Sequence, residues 1–318
     1  MRKISVLFTL FLSFLSCDDG DIITTELEFG DTFQTCGDLV LYKVKTDPNE
    51  TLSIQLTEPG FTIADLIETE ADPDNALLLN LVAEQTTDFS IANLFKFRSY
   101  TSNPSNFFCN DVPPSGIQIT EEFTASSGSA YFTMELLEDD NDGIPAELED
   151  LNGNGNLYDD DTDGDGLPNF LDADDDGDNV LTISEGVNYI EGMTLAELNL
   201  NATNTDLDLP NGDNIPNYLD NDDDGDGVPT RNEEINSFDN NPTNDVSGSS
   251  TVADYLNPDY TNNNPPTAFR SHTITQTFTV TLILEGVEFP TILYEETVFG
   301  TLEDASLSTT RTLTPPFI

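Results

Sequence analysis

Between Glu138 and Glu234 the chain repeats one chemical pattern. Carboxylates stand at alternate residues, a residue able to turn sharply follows, and another carboxylate closes the segment six residues on. The stretch "DDDGDGVPTRNE" sets Asp222, Asp224 and Asp226 before Gly227 and Glu233, and "DTDGDGLPNFLD" sets Asp161, Asp163 and Asp165 before Gly166 and Asp172. In "DDDGDNVLTISE" the residues are Asp174, Asp176, Asp178, Asn179 and Glu185. "EDDNDGIPAELE" opens on Glu138 and continues through Asp140, Asp142, Gly143 and Glu149. "DLNGNGNLYDDD" is the neutral version: Asp150, Asn152, Asn154, Gly155, Asp161. Asp220 extends the alternate spacing into Asp222.

Such spacing suits one hard cation. Calcium takes about six to eight oxygen ligands at about 2.3–2.6 Å, and positions 1, 3, 5 and 12 of a twelve-residue loop wrap carboxylates around a point. The sixth position needs a positive φ, which Gly adopts freely and Asn tolerates. Magnesium demands a tighter octahedron and retains its waters. Zinc prefers His or Cys, and this region has neither. Calcium is therefore the expected ion. A solvated acidic linker is the bland alternative. Against it, an apolar residue followed by proline recurs after the turn, at Ile144-Pro145, Leu167-Pro168, Ile215-Pro216 and Val228-Pro229.

Helix–loop–helix calcium sites fit poorly, because these loops follow one another too closely for flanking helices. "DGLPNFLDADDDGDN" and "DNIPNYLDNDDDGDGVP" instead resemble thrombospondin type 3 repeats. The resemblance covers residues 138–234. It implies chain wrapped around a string of calcium ions with little regular secondary structure. The cysteines of the animal versions are missing, so a bacterial form held by metal alone is implied. An insert at about 186–209, "GVNYIEGMTLAELNLNATNTDLDL", matches nothing, and its "TLAELN" has the look of a helical turn.

The N-terminus, "MRKISVLFTLFLSFLSC", joins Arg2 and Lys3 to an apolar run that is too short for a bilayer span. Phe14-Leu15-Ser16-Cys17 resembles a bacterial lipoprotein lipobox, with Leu15 where a small residue is usual. That resemblance implies a signal peptide over 1–16, lipidation of Cys17 and attachment to the membrane through it. The "CDDGD" that follows resembles surface-exported lipoproteins of the Bacteroidota, which implies the outer membrane and cell surface. Cys36 and Cys109 remain, and in an oxidising compartment they are candidates for a disulfide closing about 70 residues, worth about 4 kcal/mol. A reactive or metal-binding thiol pair is the alternative.

The flanking segments must position these loops, and both read as β. Leu52, Ile54 and Leu56 share a face, as do Ile117, Ile119 and Phe123, and Ala130, Phe132, Met134 and Leu136. Turn formers punctuate them at Asp47-Pro48-Asn49, Glu58-Pro59-Gly60 and Pro113-Pro114-Ser115-Gly116. Residues 17–137 are expected to form an antiparallel β-sandwich. Residues 138–234 form the irregular calcium-binding array, and 235–318 supply a loop and C-terminal β-strands, giving a mainly β fold. Ile274, Phe278, Val280, Leu282 and Leu284 lie on one face, with a hairpin turn expected at Glu285-Gly286. A lone hairpin is marginal, so it is expected to join a larger sheet, the N-terminal one being a candidate.

Charge narrows the partners. Of 61 acidic residues, 30 lie in 138–234, against one basic residue, Arg231; the whole chain has net charge −52. Nucleic acid is not expected as a partner and anionic membrane surfaces are poor ones, since both call for basic patches. No nucleophile or nucleotide-binding motif accompanies the one histidine, His272, which reads as a surface or strand-end residue. The expectation is a non-enzymatic, lipid-anchored envelope protein. Its calcium-bound repeats would stiffen the link between β modules for binding of a surface macromolecule, adhesion or spacing. A calcium-dependent surface hydrolase is the alternative.

Overall fold

The structure is a computed structural model that describes residues 28–317 apart from 38, 58–59, 111, 113, 210–211, 236–238 and 291, with the backbone alone for 292–295. Residues 1–16, where a signal peptide is expected, and Cys17 lie outside the described residues. No helix among the described residues is long and apolar enough to cross a membrane.

Alternating apolar residues give strands throughout both flanks. The first half of the chain forms β1 (Thr32–Cys36), β2 (Val40–Thr46), β3 (Asn49–Gln55), β4 (Thr69–Ala71), β5 (Leu79–Leu81), β6 (Phe89–Ser90), β7 (Phe95–Tyr100), β8 (Ile119–Thr124) and β9 (Ser127–Asp139). After the acidic repeats and one short helix, α1 (Leu195–Asn201), come β10 (His272–Phe289), β11 (Ile292–Leu302) and β12 (Ser308–Leu313). The main sheet runs β6-β9-β10-β11-β1-β2-β3-β7-β8, with β12 also paired to β10; β4 and β5 form a separate hairpin. The fold is mainly β.

The order is explained by β1. Thr32 and Phe33 pair parallel with Thr301 and Leu302 of β11, and then Gln34–Cys36 pair antiparallel with β2. One strand thus carries the chain between two half-sheets. The halves share a core, in which Phe33, Leu41, Ile54, Phe95 and Phe97 from one side meet Phe132, Val280, Leu282 and Phe299 from the other. Phe95 makes edge contacts with Phe289 and Phe299, at 5.1 and 5.9 Å between ring centroids. The sandwich is therefore built from both ends of the chain. Cys36 and Cys109 are disulfide-bonded with Cα atoms 5.2 Å apart, pinning the loop after β7 to the end of β1.

β10 keeps period two over nearly its whole length, burying Ile274, Phe278, Val280, Leu282 and Leu284 as expected. The turn is not at Glu285-Gly286. There β10 is irregular against β9, Gly286 has φ +57°, and the strand continues until Phe289 pairs with Ile292. β8 also departs from expectation: it is an edge strand, so Ile119 and Phe123 remain exposed. The most consequential pairing is β9 with β10. Asp139 lies opposite Thr275, so residues 140–271 leave and re-enter the sheet on neighbouring strands. The acidic repeats do not link two separate β modules; they form one long excursion from a single edge of the sandwich.

Candidate metal centres

Each loop is shaped by its own carboxylates before any ligand is considered. One oxygen at loop position 1 accepts the N–H of position 6: Asp161 Oδ2 from Gly166 at 3.0 Å, Asp174 Oδ2 from Asn179 at 3.0 Å and Asp222 Oδ2 from Gly227 at 3.0 Å. One oxygen at position 5 accepts the N–H of position 7: Asp142 from Ile144, Asp165 from Leu167, Asp178 from Val180 and Asp226 from Val228, all at 2.6–2.8 Å. The sixth residue turns as expected, with φ +71° at Asn179 and +94° at Gly227. A single turn of 3₁₀ helix follows, at Ala146–Leu148, Asn169–Leu171, Thr182–Ser184, Asn217–Leu219 and Thr230–Asn232. The prolines sit just before four of these turns in extended conformation, where their missing N–H costs nothing. The apolar residue after the turn is buried at Ile144, Leu167 and Val228; Ile215 is exposed.

The remaining oxygens converge. Among the described residues, ligand-capable atoms lie within 4.8 Å of one another in five groups. They are Asp140, Asp142, Glu149 and Asp175; Asp176, Asp178, Glu185 and Asp223; Asp161, Asp163 and Asp165; Asp222, Asp224 and Asp226; and Asp206, Asp213 and Asp220. The second oxygens of Asp140, Asp142, Asp163, Asp176, Asp178, Asp224 and Asp226 are buried without a hydrogen-bond partner, as are both oxygens of Glu185 and Glu233.

Electrostatics follow from that burial. Desolvation first, then neighbouring carboxylates, raise Asp140 to about 9, Asp142 to about 7 and Glu149 to about 10. The same causes push Asp176, Asp178, Asp223 and Glu185 well above the usual carboxylate range. Asp163 and Asp224 rise to about 7, Glu233 to about 9 and Asp220 to about 6. Buried carboxylates at this density are tolerated at neutral pH only when a proton or a cation neutralises them. The donor set is all oxygen, as calcium requires, and offers zinc no nitrogen or sulfur.

Several residues expected at ligand positions lie elsewhere. Glu138 leads the first loop in sequence but pairs with Arg311 at 2.7 Å, tying the sheet together. Asp174 accepts the N–H groups of Asp178 and Asn179 and lies outside the converging group of its own loop. Asp172 lies 2.8 Å from Nδ1 of His272 and accepts the Asp174 N–H. His272 does begin a strand, but it is not on the surface. The loop at 172–174 covers it, the Ala173 N–H donates to Nδ1 at 3.1 Å, and burial lowers its pKa. In the neutral loop, Asn152 and Asn154 turn their amides onto Asp159 and Asp160, while Asp150 accepts the Gly155 N–H. Amide donors there bond the carboxylates directly.

Four converging residues were not legible from the loop pattern. Asp175 and Asp223 occupy position 2, which the pattern treats as a spacer; the available signal was Asp at both places where the loop at 161 has Thr162. Asp206 and Asp213 lie in or beside the insert, and Gly212-Asp213-Asn214-Ile215-Pro216 echoes Gly164-Asp165-Gly166-Leu167-Pro168. The insert is integrated by α1, whose Leu198 packs with Ile144 and Tyr218. The ladder also continues past Glu234. Asp254–Leu256 repeats the turn at Asn217–Leu219, and the Asp254 N–H bonds Asp245 O as the Asn217 N–H bonds Thr203 O.

The fold and the loops together define a mainly β protein carrying, between the ends of two neighbouring strands, a ladder of carboxylate clusters of which two are fully buried. Residues 139–211, which begin at the end of β9 and span the first loops and α1, match the model of a family described as BamM C-terminal. No curated protein and no solved structure matches the chain.

Proposed function

We propose that this is a calcium-binding cell-envelope protein, anchored at the outer membrane through a lipid on Cys17, whose repeats are ordered by calcium into a rigid surface for binding or adhesion to another macromolecule. The observation that carries the reading is the convergence of unpartnered, buried carboxylate oxygens in loops of calcium spacing. The thrombospondin type 3-like spacing supports calcium, and the family match over 139–211 supports an outer-membrane setting. A spacer between modules is set aside, because both ends of the array rise from neighbouring strands. The role is one of binding and shape, without catalysis.

Calcium titration by calorimetry and small-angle scattering test this together. At least two calcium ions per chain and a smaller radius of gyration on calcium addition are expected. Fewer than two ions, or unchanged dimensions, would reject the calcium reading. Mass spectrometry of protein extracted from membranes tests the anchor, and an unmodified Cys17 would reject that part alone.

A further inference from the structure

Asp175 and Asp223 occupy equivalent positions in two loops, and each reaches into the site of an earlier loop. Asp175, flanked by Asp174 and Asp176, joins Asp140, Asp142 and Glu149; Asp223, flanked by Asp222 and Asp224, joins Asp176, Asp178 and Glu185. Both residues are 1% exposed; neither carboxylate oxygen of Asp175 has a hydrogen-bond partner, and the Asp223 carboxylate has only the Asn217 side chain near it, outside ordinary hydrogen-bond geometry. Each is aimed by the same device. The Asp175 N–H donates to Thr182 Oγ1 at 3.2 Å and the Asp223 N–H to Thr230 Oγ1 at 3.1 Å, both threonines being fully buried. A fully buried carboxylate so short of donors is costly to hold ionised, and its location against three further carboxylates points to a shared cation as the group that satisfies it.

We propose that Asp175 and Asp223 are inter-loop ligands that couple neighbouring cation sites into one cooperative ladder. Closing the loop at 222–233 presents Asp223 to the site at 176–185, and closing the loop at 174–185 presents Asp175 to the site at 140–149. Coupling of this kind is reciprocal, so an ion bound at either loop favours binding at the other. The inference rests on the calcium reading above and adds to it the route by which the sites communicate.

The chain has no Trp, so tyrosine is the antenna for bound terbium. Tyr218 is buried where the charges of Asp175, Glu149 and Asp142 reach its phenol, and Tyr255 where those of Asp223, Glu185 and Asp178 do. The test titrates calcium by calorimetry, and terbium by luminescence, into the full-length protein and its Asp175→Asn and Asp223→Asn variants. Tyr218→Phe and Tyr255→Phe backgrounds separate the two signals. Asp223→Asn is expected to weaken the Tyr255-sensitised site by about tenfold or more and to lower the calcium stoichiometry, although residues 176–185 are untouched. Asp175→Asn should do the same to the Tyr218 signal. Asp224→Asn, which disturbs the neighbouring loop, should also shift the Tyr255 midpoint upward. Because Asn removes a buried charge, melting in chelator should be unchanged or raised, which separates lost binding from lost folding. Unchanged midpoints and stoichiometry in both Asn variants, beside clear losses in Asp142→Asn and Asp178→Asn, would overturn the inference and leave the calcium reading intact. Absence of calcium and terbium binding by the unaltered protein would overturn both.

Discussion

The loop carboxylates divide their two oxygens between two tasks. Asp142 and Asp178 each give one oxygen to the backbone N–H two residues on and leave the other unpartnered in the site. The loop is thus preshaped by hydrogen bonds while its ligand atoms stay free, and the cost appears as raised pKa values. The sign of the pH dependence follows. In the metal-free protein Asp142 titrates near 7, Asp174 near 8 and Asp140 near 9, all above the unfolded value of 3.8. Their contribution to stability is fully present below the unfolded value and is lost as pH rises through those folded values. Without calcium the array should therefore tighten on acidification. Calcium affinity should fall over the same range, because each ion displaces protons. Titrations at several pH values in buffers of different ionisation enthalpy would show both trends; affinity independent of pH between about 8 and about 5 would contradict them. A second residue-scale prediction concerns Gly177, at φ +66°, where an added Cβ would collide with the Asp163 carboxylate. Gly177→Ala should separate two neighbouring loops and cost about 1–3 kcal/mol, read by denaturant unfolding in saturating calcium.

At the scale of elements, legibility followed periodicity. β9 and β10 could be read because Ala130, Phe132 and Met134, and Ile274 through Leu284, alternate against a single core. The loops could be read because their alternate carboxylate spacing is local: Asp161, Asp163 and Asp165 meet with no help from distant chain. What escaped depends on tertiary neighbours. Gly286 has the chemistry of a turn, but β9 extends past it and holds β10 in the sheet. Asp175 and Asp223 look like spacers until another loop is placed beside them. Glu138 looks like a ligand until β12 brings Arg311 to it. That last pair joins three elements. Arg311 donates to Glu138 at 2.7 and 3.2 Å and to Leu77 O at 2.8 Å, and Gln276 Nε2 donates to Glu138 at 3.0 Å. Removing one partner strands a largely buried charge. Arg311→Met should destabilise the sandwich by about 3 kcal/mol while leaving calcium stoichiometry unchanged. A loss of one bound ion instead would return Glu138 to the ligand set.

For the whole molecule, the question is which half depends on which. The sandwich has its own means of folding: one apolar core drawn from both chain ends and a disulfide between Cys36 and Cys109. The array has little core of its own. Its apolar contacts are small groups such as Ile144, Leu198 and Tyr218, or lean on the sandwich, as Leu167, Phe170 and Leu171 pack with Ile274. Among the described residues its polar ties to the β flanks include Asn75 to Gly166 O, Asn141 to Thr275 and Ala173 to His272. Against these stand many buried carboxylates that repel one another, so under the proposed calcium binding the balance in the array would be set by the metal. At about 100 times the dissociation constant each site contributes roughly 2.7 kcal/mol, and several sites exceed what such small apolar groups supply. Calcium removal should therefore release the excursion and spare its base. Hydrogen exchange in chelator is expected to lose protection across 140–257 while β2, β9 and β10 keep theirs, and melting should split into two transitions that merge when calcium is restored. A single transition in chelator, with the strands losing protection together with the loops, would mean instead that the ladder clamps β9 to β10 and that the sandwich itself is held closed by calcium.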